Sequence, residues 1–419
     1  MKNITVIGAG KLGLPMGACF ADASYKVNFY DSSKSKIDNL RDNNGYNYEI
    51  NLNKILNKNS KNISFTSDLN KAYVFSNFFF IILPTPSLKN GDYSLKYLKI
   101  FLKKFCELLK KNPKNVNIII TSTVMPGACD DKIIPFLKKQ LPKKIYNKIH
   151  LYYSPEFIAL GSVVNDLQRP KIILVGSNNK NKRAILSKFY KSIVKNNPLV
   201  FETNLITAEL TKILINSFMT IKISFSNFVG LLSNKDVNLD SKLILNSIKA
   251  FNINNKKGYL SGVGYSGPCL PRDNRAVAYF AKSKNVNPLL SNSADKINKN
   301  VNENLYSQIK KYSKNLKNIL FLGVSYKEQT SVIEESPVIR IARRMKKNYN
   351  ISIYDPLVNM ETDLSEKFLF SDDLEEVLKK AELIVVSHTS VKLDKFRGIL
   401  KNKKIFKIWG NEYSIGLNV

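Results

Sequence analysis

Cysteine and histidine are scarce in this chain of 419 residues, which contains 4 cysteines and 2 histidines. Cys19, Cys106, Cys129 and Cys269 stand too far apart for a Cys-x-x-Cys metal clip and are too few for a disulfide scaffold. The sequence therefore predicts no metal site and a reducing, cytoplasmic compartment.

Targeting signals are also missing from the sequence. The first residues, MKNITVIGAG, lack a basic stretch followed by an apolar core and a small-residue cleavage site. No apolar run approaches the roughly 18 residues that span a bilayer, and the runs at 77–83 and 117–120 are strand-sized. We expect no secretory signal and no membrane association.

Acidic residues are few relative to basic ones, because 33 Asp and Glu against 65 Lys and Arg give a net charge of +32. Such a surface attracts anions, including nucleotides and phosphates. The lysines are spread along the whole chain, with no basic face interleaved with aromatics and no recognised reader motif. This even spread indicates a compositional bias towards lysine, and nucleic acid is not a predicted partner.

A nucleotide-binding pattern stands at the N-terminus of a chain long enough for two or three domains. An apolar strand, GAGKLG at 8–13, a helical stretch and a second strand ending at Asp31 form a βαβ sequence. Gly8 permits the tight turn, Gly10 lets the backbone approach a pyrophosphate, and Gly13 allows close helix packing. Asp31 favours NAD over NADP, because its carboxylate binds ribose hydroxyls and repels a 2′-phosphate. The alternative is a glycine-tolerant turn in an unrelated α/β protein.

Further apolar strands alternate with helix-like stretches, which predicts a mainly parallel, doubly wound sheet. The strand candidates are 77–83, 116–121, 149–153 and 171–175. Thr85 and Thr123 follow two of them, and ligands of open parallel sheets lie outside the carboxyl ends of strands. Both threonines are cofactor-site candidates, and capping of the next turn is the alternative for each.

Apolar residues recur with helical spacing from about 205 to 250, which predicts a long central helix. Lys212 and Asn216 lie one turn apart on it, and taken alone they fit a solvated stripe. A second α/β unit begins near residue 317. The predicted fold is α/β, with two Rossmann-like doubly wound domains joined by a long central helix and a helical dimerisation region.

Cys269 lies in the loop GVGYSGPCLPRDN at 262–274. The glycines and prolines of this loop allow a thiol to be presented to a ligand, and Arg272 and Asp273 are near enough in sequence to tune it. A nucleophile and a structural turn cysteine both fit this position.

Seven motifs follow one another along the chain. They are GAGKLG at 8–13, PTP at 84–86, STVMPG at 122–127, YSPEFIALGSVVND at 153–166, AELTKILINSFMTIKISFSN at 208–227, GYSGPCLPRDN at 264–274 and LGVSYKEQTSVIEESPVIR at 322–340. In this order they resemble the UDP-glucose/GDP-mannose dehydrogenase family of nucleotide-sugar dehydrogenases. The resemblance covers nearly the whole chain. It implies an NAD domain at 1–203, a central helical dimerisation region carrying the cysteine loop at 204–305, and a nucleotide-sugar (UDP) domain at 306–419.

The resemblance implies a four-electron oxidation of the sugar C6 alcohol to a carboxylate with NAD. UDP-glucose to UDP-glucuronate, for polysaccharide synthesis, is the expected reaction, in a homodimer or higher homo-oligomer. Cys269 occupies the family's catalytic cysteine position, where it would trap the aldehyde as a thiohemiacetal before a thioester forms.

The resemblance also implies roles for other residues. Lys212 and Asn216 match the pair that stabilises oxyanions, Asp273 matches a carboxylate that acts as base or orients water, and Thr123 and Glu156 match residues near that water. The implied cofactor-binding residues are Gly8, Gly10, Lys11, Leu12, Gly13, Asp31, Pro84, Thr85, Ser122 and Thr123. The implied substrate-binding residues are Glu156, Phe157, Lys212, Asn216, Gly264, Tyr265, Gly267, Arg272, Tyr326, Lys327 and Arg340.

Three positions depart from the family pattern. Leu160 stands where the family often has a second carboxylate, and Arg272 stands where many members have lysine. An arginine that reaches across the dimer in some members has no clear counterpart, and Lys256 and Lys257 are the nearest cations.

Several alternatives stay open. The substrate could be UDP-N-acetylmannosamine, UDP-N-acetylglucosamine or GDP-mannose, because the chemistry at C6 is the same. A two-electron hydroxyacid dehydrogenase would leave Cys269 and the last hundred residues without a role. A nucleotide-sugar-binding scaffold without turnover is favoured by Leu160 and disfavoured by the intact Lys212, Asn216, Cys269 and Asp273.

Overall fold

The computed structural model describes residues 2–42, 49–236, 238–251, 260–358, 369–370, 373–388, 393–409 and 412–415. The chain divides into two compact units, Met1–Ile213 and Leu214–Val419. Lys256 and Lys257, the cations nearest the cysteine loop in sequence, lie outside the described residues.

The first unit is built on an eight-stranded sheet. Its strands are β1 (Asn3–Ile7), β2 (Lys26–Tyr30), β3 (Ile63–Thr66), β4 (Phe78–Ile81), β5 (Val116–Ile120), β6 (Ile149–Tyr153), β7 (Ile172–Gly176) and β8 (Leu199–Thr203). Their spatial order is β3-β2-β1-β4-β5-β6-β7-β8, and all neighbours are parallel except β6 and β7. The first six strands have the order of a doubly wound nucleotide-binding sheet, which confirms the predicted fold of this unit.

Helices cover both faces of this sheet. They are α1 (Gly13–Asp22), α2 (Lys34–Arg41), α3 (Leu52–Lys58), α4 (Leu69–Phe75), α5 (Lys96–Lys111), α6 (Ile134–Gln140), α7 (Lys143–Tyr146), α8 (Val163–Gln168) and α9 (Lys180–Ile193), with a 3₁₀ turn at Ser60–Asn62 and a π-helical turn at Cys129–Ile133. Polar side chains cap several of them: Ser33 accepts the N–H of Lys36 before α2, and Asp68 accepts the N–H of Asn70 before α4.

Strand residues of the first unit alternate between two cores. On β4, Phe80 packs into one hydrophobic cluster, whereas Phe79 and Ile81 pack into the other. On β5, Ile119 and Ile118 divide in the same way. Because helices cover both faces, the strands read as continuous apolar runs in the sequence.

The helical stretch predicted from 205 to 250 consists of two helices, α10 (Leu205–Ser233) and α11 (Ser241–Phe251). The connecting residues are rich in asparagine and aspartate, which favour turns. Asp240 then caps α11, because its carboxylate accepts the backbone N–H of Leu243 at 2.9 Å.

Helix α10 is long and apolar enough to cross a membrane, with a mean hydropathy of 1.2 over its most apolar 18-residue window. The expectation that no apolar run approaches a span in length is wrong for this segment. Half of that window is buried within the protein. The core helix of a water-soluble protein has the same length and composition, so this helix alone does not indicate a membrane protein.

The second unit contains a six-stranded sheet. Its strands are β9 (Asn318–Leu322), β10 (Asn350–Tyr354), β11 (Leu369–Phe370), β12 (Leu383–Val386), β13 (Lys404–Lys407) and β14 (Glu412–Ile415). Its further helices are α12 (Leu270–Ser283), α13 (Leu289–Tyr312), α14 (Pro337–Met345), α15 (Leu374–Lys380) and α16 (Arg397–Leu400), with a 3₁₀ turn at Leu393–Phe396. The spatial order is β11-β10-β9-β12-β13-β14, with only β14 antiparallel. Counted within the unit, this is again the doubly wound order, so the second Rossmann-like fold is confirmed.

Candidate active site

The first unit has a cleft of about 560 Å³ where the strand order reverses, between β1 and β4. Ligands of doubly wound sheets bind at this point, outside the carboxyl ends of the strands. The predicted cofactor residues that line the cleft are Gly8, Gly10, Lys11, Leu12, Gly13, Asp31 and Pro84. The N-terminus of α1 also meets the cleft at Gly13, which favours an anionic group there.

The three glycines of the β1–α1 loop have different surroundings. A Cβ on Gly8, whose φ is 101°, would lie 2.3 Å from the carbonyl oxygen of Ile82, and one on Gly13 would lie 1.9 Å from that of Gly8. A Cβ on Gly10 would meet only Lys36 Nζ, at 4.0 Å. Packing within the protein therefore requires glycine at positions 8 and 13. The open space beside the Cα atom of Gly10 leaves room for a pyrophosphate to approach the backbone.

Asp31 follows β2 and is held in place by three donors. Its Oδ2 accepts from the backbone N–H of Ala9 at 3.2 Å and from Lys36 Nζ at 2.7 Å, and its Oδ1 accepts from the N–H of Ser33 at 3.2 Å. A carboxylate at the end of the second strand occupies the position that binds the adenosine ribose in dinucleotide sites. The residues of this cleft therefore fit NAD.

The hydroxyls of Thr85 and Ser122 are used within the protein. Thr85 Oγ1 donates to the carbonyl of Thr123 at 2.7 Å. Ser122 Oγ donates to the carbonyl of Leu83 at 2.7 Å and accepts its N–H at 2.9 Å. These bonds tie the loops after β4 and β5 to each other, and the Thr85 hydroxyl is used in this link between loops.

Sequence reasoning missed several residues that line the cleft. They are Tyr30, Ser32, Lys36, Ile82, Leu83, Tyr97, Ile100, Phe101 and Lys104. The last four share one face of α5, at the spacing i, i+3, i+4, i+7. That spacing is visible in the sequence, but a face that packs only against the core has the same pattern.

Glu156 and Lys212 come together in the first unit. Lys212 Nζ donates to the Glu156 backbone carbonyl at 2.7 Å and lies 5.0 Å from the centre of the Phe157 ring. The Glu156 carboxyl oxygen Oε1 accepts from the Tyr190 hydroxyl at 3.3 Å. Burial raises the pKa of Glu156 to about 8, although the Tyr190 hydrogen bond and the Lys212 charge act in the opposite direction. A carboxyl that titrates near neutral pH suits proton transfer.

Leu160 occupies the position where the resemblance led us to look for a second carboxylate. Its partly buried side chain packs against the hydrophobic core of the first unit. The neighbouring Gly161 N–H donates to Glu49 Oε2 at 3.1 Å. Leu160 therefore contributes to packing, and Glu156 is the one carboxyl present of the expected pair at positions 156 and 160.

Glu209 is a fully buried carboxyl that sequence analysis did not single out. Its Oε2 accepts the N–H of Gly127 at 2.6 Å, and its Oε1 accepts the N–H of Cys129 at 2.9 Å. Burial raises its pKa to about 7. Glu209 thus anchors the segment after Thr123 to α10, close to Lys212. The sequence signal that could have indicated Glu209 is an acidic residue within an apolar helical stretch.

Cys269 directly precedes α12 in the second unit and is exposed, whereas Cys19, Cys106 and Cys129 are buried. Burial raises the pKa of the Cys19 thiol to about 12 and that of Cys106 to about 11. The N-terminus of a helix favours a thiolate through its N–H groups and dipole. Cys269 is therefore the cysteine placed for nucleophilic chemistry. Within the described ranges, no group of three or more His, Cys, Asp or Glu side chains could hold a metal ion.

Asp273 and Asn216 also come together in the second unit. Asp273 is completely buried, and its Oδ2 accepts from Asn216 Nδ2 at 2.6 Å while its Oδ1 accepts from Arg272 Nε at 3.1 Å. Next to it, Asn274 Oδ1 accepts from the Ser217 hydroxyl at 3.0 Å. The facing sides of α10 and α12 therefore share a buried polar network that orients the Asn216 amide.

The cysteine loop is tightly packed on its own unit. A Cβ on Gly264 would lie 2.2 Å from a side-chain oxygen of Asn298, and one on Gly267 would lie 2.5 Å from the Tyr326 ring. Tyr265 is 4% exposed, and its hydroxyl donates to a carboxylate on α13. The predicted substrate residues of this loop thus hold its shape as well.

Arg340 and Lys327 were predicted to contact substrate anions. The Arg340 guanidinium, which is 56% exposed, pairs with Glu335. Arg275 Nη1 lies 3.4 Å from the same carboxylate. Lys327 follows Tyr326, and its carbonyl accepts from the Ser325 hydroxyl at 2.9 Å. An anion that binds Arg340 therefore competes with Glu335.

Several proteins are similar to this chain over most or all of its length. UDP-glucose 6-dehydrogenase of Rickettsia conorii is 29% identical over 454 residues, covering 100% of both chains. GDP-mannose 6-dehydrogenase of Pseudomonas putida is 26% identical and covers 92% of this chain and 91% of its own. The solved UDP-glucose dehydrogenase of Pyrobaculum islandicum has the same fold, with a TM-score of 0.87, 22% identity and coverage of 98% and 94%.

Three domain models of one family match in order along the chain. The NAD binding domain of the UDP-glucose/GDP-mannose dehydrogenase family matches residues 2–194, its central domain residues 206–300, and its UDP binding domain residues 320–410. Together they match most of the chain, which confirms the resemblance and the NAD cofactor. This chain belongs to the UDP-glucose/GDP-mannose dehydrogenase family.

Proposed function

We propose that this chain oxidises the C6 alcohol of a nucleotide-sugar to a carboxylate, with NAD as the hydride acceptor. The observation that carries the proposal is Cys269, an exposed thiol at the N-terminus of α12, followed one turn later by the buried Asp273. Oxidation of an alcohol to an aldehyde needs no nucleophile, whereas oxidation to the acid is made easier by covalent trapping of the aldehyde. The cleft at β1 and β4 supplies the cofactor site.

UDP-glucose is the substrate that we propose, with UDP-glucuronate as product and a uronic acid for polysaccharide as its use. The support is the match of the UDP binding domain at 320–410 and the name of the R. conorii relative. The GDP-mannose 6-dehydrogenase of P. putida is similar at 26% identity, so the competing sugars belong in the test.

The Cys269 thiol has the central chemical role. When bound, NAD accepts a hydride from C6 at each of the two oxidations. Between them, Cys269 Sγ adds to the aldehyde carbon, and the carbonyl oxygen takes up a proton to give a thiohemiacetal. Loss of that proton and of a hydride from C6 leaves a thioester, whose C–S bond breaks when water adds, returning the thiolate and releasing the carboxylate. This cycle needs a reduced thiol, which favours the cytoplasm.

The residues around this chemistry stabilise charge and move protons. Lys212 and Asn216 donate to the oxyanions that develop at C6, and both are held in place beforehand, by the Glu156 carbonyl and by Asp273 respectively. Glu156 accepts the proton of the attacking water, because its raised pKa matches that of a base working near neutral pH. Asp273 orients Asn216, and Thr123 contacts the water.

The remaining predicted residues are proposed to bind the substrate. Arg272, Lys327 and Arg340 supply positive charge for the pyrophosphate, and a guanidinium can bind it through two hydrogen bonds. The other members of the substrate set are Phe157, Gly264, Tyr265, Gly267 and Tyr326. Substrate binding to Arg340 exchanges its Glu335 partner for phosphate.

We propose the division of the chain into 1–203, 204–305 and 306–419, with a homodimer formed through the central region. An apolar stripe on α10 supports the dimer. It consists of Leu214, Phe218, Phe225, Phe228 and Leu232, which are 44 to 55% exposed. Exposed apolar patches of this kind mark protein interfaces.

Replacement of one stripe residue tests the dimer. Phe225→Glu places a charge in the proposed interface, so we expect sedimentation to show a shift towards monomer. Val74→Glu, an equally drastic change on the exposed Val74 of α4, is the matched control and is expected to leave the mass unchanged. A wild-type monomer, or a Phe225→Glu dimer as tight as wild type, would remove the stripe from the interface.

Removal of the Asp31 charge should change cofactor choice. Asp31→Asn removes the carboxylate that repels a 2′-phosphate and releases Lys36 to attract one. We expect the ratio of the NADP to NAD dissociation constants to fall by about tenfold or more, which corresponds to about 1.4 kcal/mol. Asp38→Asn, which removes an exposed carboxylate paired with Arg41 on α2, is the matched control. An unchanged ratio in Asp31→Asn would show that Asp31 does not face the ribose.

A substrate panel tests the proposed function. Purified protein is given NAD with UDP-glucose, UDP-N-acetylmannosamine, UDP-N-acetylglucosamine or GDP-mannose, and kcat/KM for NADH formation is compared. We expect the highest value with UDP-glucose. A higher value with another sugar corrects the substrate, whereas NAD binding without turnover of any sugar favours the scaffold alternative.

A further inference from the structure

Tyr190 contacts the Glu156 carboxyl from inside the first unit. It lies on α9, is 5% exposed, and its hydroxyl is 3.3 Å from Glu156 Oε1. Neither the spacing nor the motifs pointed to Tyr190, because it is 34 residues from Glu156 in the chain. Within the described residues, no hydrogen bond reaches the other carboxyl oxygen of Glu156, Oε2.

The surroundings of this pair are mostly apolar. A small cavity beside Glu156 and Tyr190 is lined by Phe20, Leu167, Ile193 and other apolar side chains. In such surroundings a carboxylate is costly unless a donor stabilises it. The Tyr190 hydroxyl is therefore the donor on which the charge of Glu156 depends most directly.

Few titratable groups face the Glu156 carboxyl. Tyr190 faces it from α9, and Lys212, which donates to the Glu156 carbonyl, faces it from α10. Cys19 on α1 lines the same cavity, and burial together with nearby carboxylates raises its pKa to about 12, so it stays neutral near pH 8. Of these three groups, Tyr190 and Lys212 are the ones that stabilise a negative charge on Glu156.

We propose that Tyr190 is a positioning residue for Glu156: its hydroxyl fixes one carboxyl oxygen, directs the other towards the reacting water, and stabilises the charged form that acts as base. The inference rests on the proposed function, because it concerns the Glu156 carboxyl as the base of the proposed hydrolytic step. Burial of the Tyr190 hydroxyl raises its own pKa well above the ordinary value, so it remains a donor at every working pH.

The pH dependence has a definite sign. A base acts only when deprotonated, so hydrolysis rises with pH through the pKa of Glu156, which burial places at about 8. A hydrogen bond donated to a carboxylate lowers its pKa. Loss of the Tyr190 hydroxyl must therefore move the rise in hydrolysis to higher pH.

The test compares Tyr190→Phe with Tyr152→Phe. Tyr152 on β6 is also fully buried, but its hydroxyl lies 3.4 Å from Asn117 Oδ1 and does not touch Glu156. Two readouts are used: the NMR titration of [δ-¹³C]glutamate, with the Glu156 signal assigned from Glu156→Gln, and the pH profile of the thioester fraction in acid-quenched protein by mass spectrometry. In Tyr190→Phe we expect both midpoints about one pH unit higher than in wild type, the scale set by loss of a hydrogen bond to a charged group. In Tyr152→Phe both should stay in place.

Each outcome is decisive for Tyr190. An unchanged Glu156 midpoint in folded Tyr190→Phe overturns the inference, even when the enzyme turns over. If Tyr190→Phe does not fold, 3-fluorotyrosine at position 190 keeps the shape and strengthens the donor, so the midpoint should fall instead of rise, and no shift again overturns the inference. Absence of turnover with every sugar is a failure of the proposed function, and the NMR titration still measures what Tyr190 does.

Discussion

Cys269→Ser is expected to abolish complete oxidation while NAD and nucleotide-sugar binding persist. A serine hydroxyl is a poor trap for the aldehyde, so neither the thiohemiacetal nor the thioester forms. We expect carboxylate formation to fall to near background, because removal of a catalytic nucleophile lowers kcat by several orders of magnitude. Chromatography measures the carboxylate formed, and calorimetry measures the binding of NAD and UDP-glucose.

The chain offers a matched control for the cysteine change. Cys106 is buried in the core on α5, so Cys106→Ala removes a thiol without touching the cysteine loop. This variant should retain the full reaction, apart from some loss of stability. Wild-type rates of carboxylate formation by Cys269→Ser would remove Cys269 from the role of nucleophile.

Lys212→Met should have the second largest effect. Its ammonium group contacts the Glu156 segment, where Nζ donates to the Glu156 carbonyl at 2.7 Å. Loss of one preorganised donor to an oxyanion lowers kcat by about 10² to 10³. The KM for NAD should change little, because the cleft that we assign to NAD lies at β1 and β4.

A lysine outside the site provides the comparison. Lys235, an exposed residue just after α10, can be changed to methionine with the same loss of charge. In steady-state kinetics, kcat should fall in Lys212→Met and stay at the wild-type value in Lys235→Met. Equal kcat in Lys212→Met and Lys235→Met would show that Lys212 does not stabilise charge in the reaction.

Much of the fold could be predicted from periodicity and glycine spacing. The strand at 149–153 has the bounds of β6, and the apolar runs at 77–83 and 116–121 contain β4 and β5. Strand β8 lies at the edge of its sheet and was not predicted, because its apolar run, Leu199 to Phe201, is only three residues long. The break between α10 and α11 depends on a short Asn- and Asp-rich turn within a sequence that otherwise has helical spacing.

The candidate site also contains some residues that could be predicted from the sequence and others that could not. The glycines and Asp31 of the cofactor cleft follow from local sequence, because one turn and one strand end place them together. Lys36 and Glu209 do not, since their roles come from contacts with Asp31 and with the Gly127 segment that only the folded chain creates. For Thr85, the position at the end of a strand was predicted, but the sequence did not indicate that its hydroxyl donates a hydrogen bond to the Thr123 carbonyl.

The number of NADH molecules formed per nucleotide-sugar consumed tests the four-electron chemistry most directly. With limiting UDP-glucose and excess NAD, absorbance gives NADH and chromatography gives the sugar consumed and the uronate formed. The proposed function predicts two NADH and one UDP-glucuronate per UDP-glucose. One NADH per sugar with free aldehyde as the product would contradict it, because Cys269 would then trap nothing.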